Sequence, residues 1–211
     1  MPALDKPLAE LNTYLGSSPC PEDIDTFWDD ALAEMHAVDP QVELVPADFA
    51  APNVECFHLY FTGVRGARIH AKYVRPTLPQ APHPAVVEFH GYSANSGDWI
   101  SKLPWALAGY SIASLDCRGQ GGLSEDSGQV TGNTLQGHII RGLDDSPDKL
   151  LFRQIFLDTA QLARIVMQLD EVDASRVAAF GGSQGGGLTL ACAALEPTIN
   201  RAAATYPFLC D

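Results

Sequence analysis

The stretch Val177-Ala-Ala-Phe-Gly-Gly-Ser-Gln-Gly-Gly-Gly187, continued by Leu188-Thr-Leu-Ala-Cys-Ala-Ala-Leu195, decides the fold. An apolar run ends in a tight cluster of Gly, Ser and Gln, and a helical apolar run follows at once. Within it, Gly181-Gly-Ser-Gln-Gly185 matches G-x-S-x-G. That pattern sets a serine on a strained turn from strand to helix, where its hydroxyl stands clear of the sheet edge. The flanking glycines fit because side chains there would collide with the neighbouring strand and helix. The helix begins at the serine, and its free N–H groups can face a developing negative charge. Gly, Ser and Gln also make ordinary turns, but the strand before and the helix after favour the elbow. Two other glycine motifs fail. A dinucleotide fingerprint needs G-x-G-x-x-G, and Ser183 stands in the second glycine's place. A phosphate-binding loop needs Gly-Lys-Ser/Thr, and no lysine is near.

Upstream, Asp170-Glu-Val-Asp-Ala-Ser175 reads as the turn into the Val177–Phe180 strand. Before it, Phe152, Ile155, Phe156, Leu162, Ala163, Val166 and Leu169 make the buried side of a long helix. Ser146-Pro147 supplies its N-cap and first-turn proline. Gly119 to Pro147 is long, rich in Gly, Ser and Asp, and has little periodicity; loops beyond ~15 residues are usually functional or disordered. Its length, low periodicity and apolar pair Ile139-Ile140 point to a subunit contact; a flexible surface loop is the alternative. Further back, Ser111-Ile-Ala-Ser-Leu-Asp116 and Ala85-Val-Val-Glu-Phe-His90 are short strands, with a helix from Asp98 to Gly109 between them that Pro104 can break. Strand, helix, strand with short links marks parallel βαβ units. Downstream, Arg201-Ala-Ala-Ala-Thr-Tyr206 reads as one more strand.

The first part of the chain is different. Pro7 to Leu15 predicts a short helix, and Ile24, Phe27, Trp28, Ala31, Leu32 and Met35 fall at helical spacing on an acidic one. Val42–Val45, Val54–Thr62 and Ala67–Val74 read as strands, the last two joined by a turn at Gly63-Val-Arg-Gly66. His58 and His70 are read as solvated or edge residues. His83 falls in a Pro-rich connector.

Composition bounds the chemistry. The length of 211 residues suits one α/β domain or a large part of one, and 46% apolar content supports a substantial core. A net charge of −13 argues against nucleic acid and an anionic membrane surface. Five cysteines, with no C-x-x-C pair and no apolar leader before them, read as free thiols in a cytoplasm.

Two elements point one way: the serine elbow, and a His90-Gly-Tyr92 turn after an earlier parallel strand. In an acyl-transfer hydrolase the N–H after the nucleophile and another from the earlier turn form the oxyanion hole. Those would be Gln184 and Tyr92. His90 precedes the serine, whereas this fold runs serine, acid, histidine, so His90 is read as structural.

These residues resemble the acetyl xylan esterase and cephalosporin C deacetylase family, carbohydrate esterase family 7. The matching stretches are His90-Gly-Tyr92, Arg118-Gly-Gln120, Gly181-Gly-Ser-Gln-Gly-Gly-Gly187 and Tyr206-Pro-Phe-Leu-Cys-Asp211. Ala106-Leu-Ala-Gly-Tyr110 and Asp170-Glu-Val-Asp173 are similar too. The resemblance implies an α/β-hydrolase fold: a mostly parallel central sheet flanked by helices, here a single incomplete domain over 1–211 lacking the last strands. Residues 1–40 form a helical extension and 119–147 a loop insertion. It implies removal of acetyl groups from small O-acetylated substrates, such as acetylated xylo-oligosaccharides and cephalosporin C-like esters, without metal or cofactor. It implies a cytoplasmic homo-oligomer, typically a hexamer. Ser183 carries over as nucleophile, and Tyr92 and Gln184 as oxyanion donors. Arg118 and Gln120 would order the turn beside the site; a plain strand-end ion pair and turn is the alternative.

The departure is that no histidine follows Ser183; the last is His138. The acid and histidine would need two more strand-and-helix units, on the order of 60 residues. Residues 1–211 are therefore expected to be a weak esterase at best. A truncated or degenerate subunit serving only in assembly is the competing reading. A related serine peptidase or acyltransferase is a third, and nothing like a peptide-binding propeller domain supports it.

Overall fold

The computed structural model describes residues 6–78, 82–126 and 139–208. Pro7 precedes a single helical turn, α1 (Leu8–Leu11), shorter than the expected run to Leu15. α2 (Ile24–His36) carries the apolar stripe and buries Ala31 and Met35. An antiparallel meander follows: β1 (Glu43–Pro46), β2 (Val54–Thr62) and β3 (Arg68–Pro76). The alternating units come next: β4 (His83–Phe89), α3 (Leu103–Leu107), β5 (Ser111–Leu115), α4 (Leu151–Met167), β6 (Val172–Gly182), α5 (Gln184–Leu195) and β7 (Arg201–Thr205).

The seven strands of the described residues join one sheet in the order β1-β2-β3-β5-β4-β6-β7. The half β5-β4-β6-β7 is parallel. The meander joins it antiparallel, through β3 against β5. This is the expected α/β-hydrolase sheet, with its antiparallel part confined to one side. Helices cover both faces. Leu59, Phe61, Ile69, Val87, Phe89 and Leu115 pack with Phe152, Ile155 and Leu162 of α4 on one face. Val74, Val86 and Ile112 pack with Ala106 of α3 on the other. α2 lies outside α4, where Ala31 and Met35 meet Leu157 and Ala160.

The chain leaves β4 toward β5 on one side, and later leaves β6 toward β7 on the other. The crevice between two such neighbours, at their carboxyl ends, is where open α/β sheets place ligands.

Several sequence expectations need correction. His83 is not in a connector: it opens β4 and is 4% exposed, with Nε2 2.8 Å from the Ser111 hydroxyl. A neighbouring strand supplies its polar partner, which local sequence cannot reveal. His70 is not an edge residue either. It is fully buried, and the β2–β3 register brings it diagonally next to His58 on one face. The long helix does not start at Ser146-Pro147. Those residues open a separate 3-10 turn over Pro147–Lys149, and Leu150 with ψ 125° breaks the backbone before α4. Strand β6 begins inside the acidic stretch read as a turn, because Val172 is drawn into register opposite His83. Residues 127–138 of the long loop lie outside the described residues. Ile139 packs on the main core while Ile140 stays exposed, so only the latter is available for the expected contact.

Candidate active site

Ser183 sits between the last residue of β6 and the first of α5, with φ 57° and ψ −122°. Left-handed φ is costly for a residue with a side chain and persists only when the surroundings hold it. Here they do. The Ser183 N–H donates to the Thr205 carbonyl at the end of β7 (3.0 Å). The Ser183 carbonyl accepts from Gly186 (2.9 Å), Gly187 (3.2 Å) and Phe208 (2.9 Å). The elbow also needs its glycines. A Cβ on Gly181 would stand 2.6 Å from the Phe89 carbonyl oxygen, and one on Gly185 would collide with that same oxygen. Strand β4 thus runs hard against the base of α5. Gln184 is the first residue of α5, so its N–H has no acceptor within the helix.

The turn after β4 lies alongside. Phe89 pairs with Gly181, so the two strands end level. A Cβ on Gly91 would be 4.0 Å from Ser183 Cβ, which puts the start of the His90-Gly-Tyr turn beside the serine. Tyr92 follows and is 39% exposed. His90 is fixed as a brace. Its Nε2 accepts the Cys117 N–H (3.0 Å), and its Nδ1 carries the proton donated to the Gly91 carbonyl (2.7 Å). Burial pushes this imidazole below its ordinary range, which favours the neutral form. Both ring nitrogens are spent, consistent with its reading as structural.

The third turn, after β5, ties the first two together. The Ser93 N–H donates to Gln120 Oε1 (2.8 Å), and Gln120 Nε2 donates to Gln184 Oε1 (2.9 Å). Gln184 is 1% exposed, and its amide also reaches Cys117 Sγ (3.7 Å). The two glutamines therefore bridge the turn at Tyr92 to the elbow at Ser183. Sequence reasoning placed both beside the site but missed that they pair. Their occurrence in two turns predicted to converge was the available signal.

Arg118 behaves differently. It is fully buried and faces α4, donating from Nε and Nη2 to the two oxygens of Asp158 (2.7 and 2.5 Å) and from Nη1 to Gln154 (3.0 Å). It fastens the turn to α4, and its hydrogen bonds go to Asp158, Gln154 and the Val64 carbonyl rather than to the elbow. The plain strand-end ion pair is what the structure contains. Asp116, His70 and His58 form a further polar chain near the Tyr92 turn, which the sequence did not single out.

Among the described residues no histidine nitrogen hydrogen-bonds the Ser183 hydroxyl; His138 lies outside them. No group of three or more His, Cys, Asp or Glu among the described residues could hold a metal ion. No described helix is long and apolar enough to cross a membrane. A hollow of about 810 Å³ lies between α2 and α5, lined by Trp28, Leu32, Phe156, Leu190 and Phe208.

Comparison with known proteins agrees with this geometry. The acetyl xylan esterase (AXE1) family model matches residues 1–211. The crystal structure of acetyl xylan esterase 1 from Thermoanaerobacterium sp. JW/SL YS485 is 59% identical, with a TM-score of 0.94 over 98% of this chain and 65% of that one. The acetyl xylan esterase from Paenibacillus sp. R4 is 34% identical, with a TM-score of 0.90 over 97% of this chain and 66% of that one. The acetyl esterase Axe7A of Xylanibacter ruminicola is 24% identical over 198 residues, which are 90% of this chain and 44% of that protein. The chain thus spans slightly under two thirds of the solved relatives and less than half of the curated one. With the model matching its whole length, the chain belongs to the acetyl xylan esterase family.

Proposed function

We propose that this chain carries the nucleophile and oxyanion hole of a serine esterase that removes acetyl groups from small, neutral O-acetylated molecules. Acetylated xylo-oligosaccharides and cephalosporin C-like acetyl esters are the substrate classes. Ser183 Oγ attacks the acetyl carbonyl carbon as a base takes its proton. The Tyr92 and Gln184 N–H groups hold the resulting oxyanion. The oxyanion collapses, the alcohol leaves with the proton, and water frees acetate from the acyl-enzyme. The observation that carries the reading is the held left-handed backbone of Ser183 beside the Gly91 turn. The sequence supplies no metal or cofactor motif, so the reading needs neither. The protein works as a cytoplasmic homo-oligomer, a hexamer in the resemblance, with no nucleic acid or membrane partner.

A serine hydroxyl is a weak nucleophile until a positioned base accepts its proton. No described histidine does so here, and the chain spans under two thirds of its solved relatives' length. The base and its acid are assigned to the part of the relatives that this chain does not match. The same observation favours the second reading, in which residues 1–211 act only in assembly. One experiment separates them. Residues 1–211 and a form continued along its natural reading frame are assayed on 4-nitrophenyl acetate, each with Ser183→Ala beside it. The esterase reading expects turnover in the longer form, lost in Ser183→Ala, and a trace rate in the short one. No Ser183-dependent turnover in either form supports the assembly reading. Comparable turnover in both forms overturns the assignment of the base and points to His138.

A further inference from the structure

Asp116 follows β5 and is 2% exposed, yet each of its oxygens is caught. Oδ1 accepts the Ser96 N–H (2.6 Å). Oδ2 accepts the Leu123 N–H (2.9 Å) and lies 2.6 Å from His70 Nδ1. The carboxylate therefore clamps two loops: the one carrying Gly91 and Tyr92, and the one carrying Gln120. The Gly121 N–H adds a bond to the Ala94 carbonyl (3.1 Å). Gly122 lies flat on the carboxylate, and a Cβ there would collide with Asp116 Cγ. Burial alone would raise this carboxyl. Hydrogen bonds from His70, Leu123 and Ser96 outweigh it and hold the group well below the carboxylate range.

His70 is the counterpart that makes this possible. It is fully buried, and its second nitrogen, Nε2, lies 2.8 Å from His58 Nδ1. With both imidazoles neutral, proton counting gives one arrangement that satisfies both contacts. His58 Nδ1–H donates to His70 Nε2, and His70 Nδ1–H donates to Asp116 Oδ2. His58 thus fixes the tautomer of His70 and lines a cavity of about 300 Å³ with Lys72 and Trp99. The hydrogen bonds of these groups do not involve Ser183.

We propose that the Asp116–His70–His58 chain is a positioning device for the oxyanion turn. It holds the Gly91–Gly97 segment at the height where the Tyr92 N–H meets the developing charge. The catalytic consequence rests on the esterase reading above; the positioning of the turn does not. A shift of about 1 Å in such a donor costs on the order of a hundredfold in rate.

The test uses the full natural protein, with His70→Leu, His70→Asn and Gly122→Ala, and two readouts. One is hydrogen exchange at the Ser96 and Leu123 amides; the other is kcat and KM on 4-nitrophenyl acetate. In His70→Leu we expect exchange at both amides to quicken at least tenfold. We expect kcat to fall roughly tenfold to a hundredfold with KM within about twofold. His70→Asn, whose amide N–H can reach Asp116, should recover most of both. Gly122→Ala displaces the carboxylate without touching His70 and should reproduce the loss. Unchanged exchange at Ser96 and Leu123 in His70→Leu and Gly122→Ala overturns the proposal. So does equal damage from Asn and Leu at position 70. Quickened exchange, restored by Asn, in a protein with no Ser183-dependent turnover keeps the positioning role and refutes the esterase reading instead.

Discussion

At the residue scale, Gly185 makes the sharpest claim. The Phe89 carbonyl oxygen occupies the space a side chain would need, and it belongs to a central strand that cannot yield. Gly185→Ala is expected to lower stability by about 1–3 kcal/mol by overpacking, read as a lower urea midpoint with an unchanged m-value. Alanine at Gly66, which has open space, tests only backbone strain from its φ of 78°. It should cost about 1–2 kcal/mol. His90 makes a claim on pH. Burial lowers its pKa in the folded chain, so the unfolded chain takes up the proton first as pH falls through about 6.5. Its contribution is full above that point and is lost toward the lower folded value. The urea midpoint should drop between about pH 7.5 and pH 5.5, and drop less in His90→Asn. Gly-x-Ser-x-Gly announced Ser183 because strained geometry needs those residue types locally. His70 and Asp116 were not announced. Their meaning comes from a pairing 46 positions apart, which no local pattern encodes.

At the element scale, the turn after β5 is held between two buried charges that face opposite ways, Asp116 toward the Tyr92 turn and Arg118 toward α4. The Arg118–Asp158 pair is fully desolvated, at 0% and 1% side-chain exposure. Removing one partner strands the other. Asp158→Asn should therefore destabilise by about 3–5 kcal/mol. Arg118→Leu combined with Asp158→Leu should cost less than the sum of the single changes, a coupling that a double-mutant cycle in urea would measure. The sequence located most elements here because their apolar periodicity is local. It misplaced the start of α4, since Pro147 can open a 3-10 turn as readily as a helix. The Leu151 N–H is held instead by the Arg141 carbonyl (2.9 Å). It placed β6 too late because the pull of a paired neighbour overrides the turn preference of Asp and Ser.

At the scale of the whole molecule, three turns from the carboxyl ends of β4, β5 and β6 meet at one point, and the strand order alone explains why. The net charge of −13 bears on what comes there, since a neutral acetyl ester escapes the repulsion an anionic polymer would meet. On the proposed esterase reading, the natural protein should prefer acetate to long-chain esters of the same alcohol, checked as kcat/KM across a series of 4-nitrophenyl esters. β7 lies at the edge of the sheet, bonded only to β6 among the described strands, with most of its residues exposed. The central claim is that Ser183 is the nucleophile presented by this convergence. The most direct measurement is rapid acid quench of the natural protein mixed with 4-nitrophenyl acetate, followed by peptide mass analysis. One added acetyl group is expected on the peptide containing Ser183, absent in Ser183→Ala. An acetyl group on another residue, or turnover undiminished in Ser183→Ala, would contradict it.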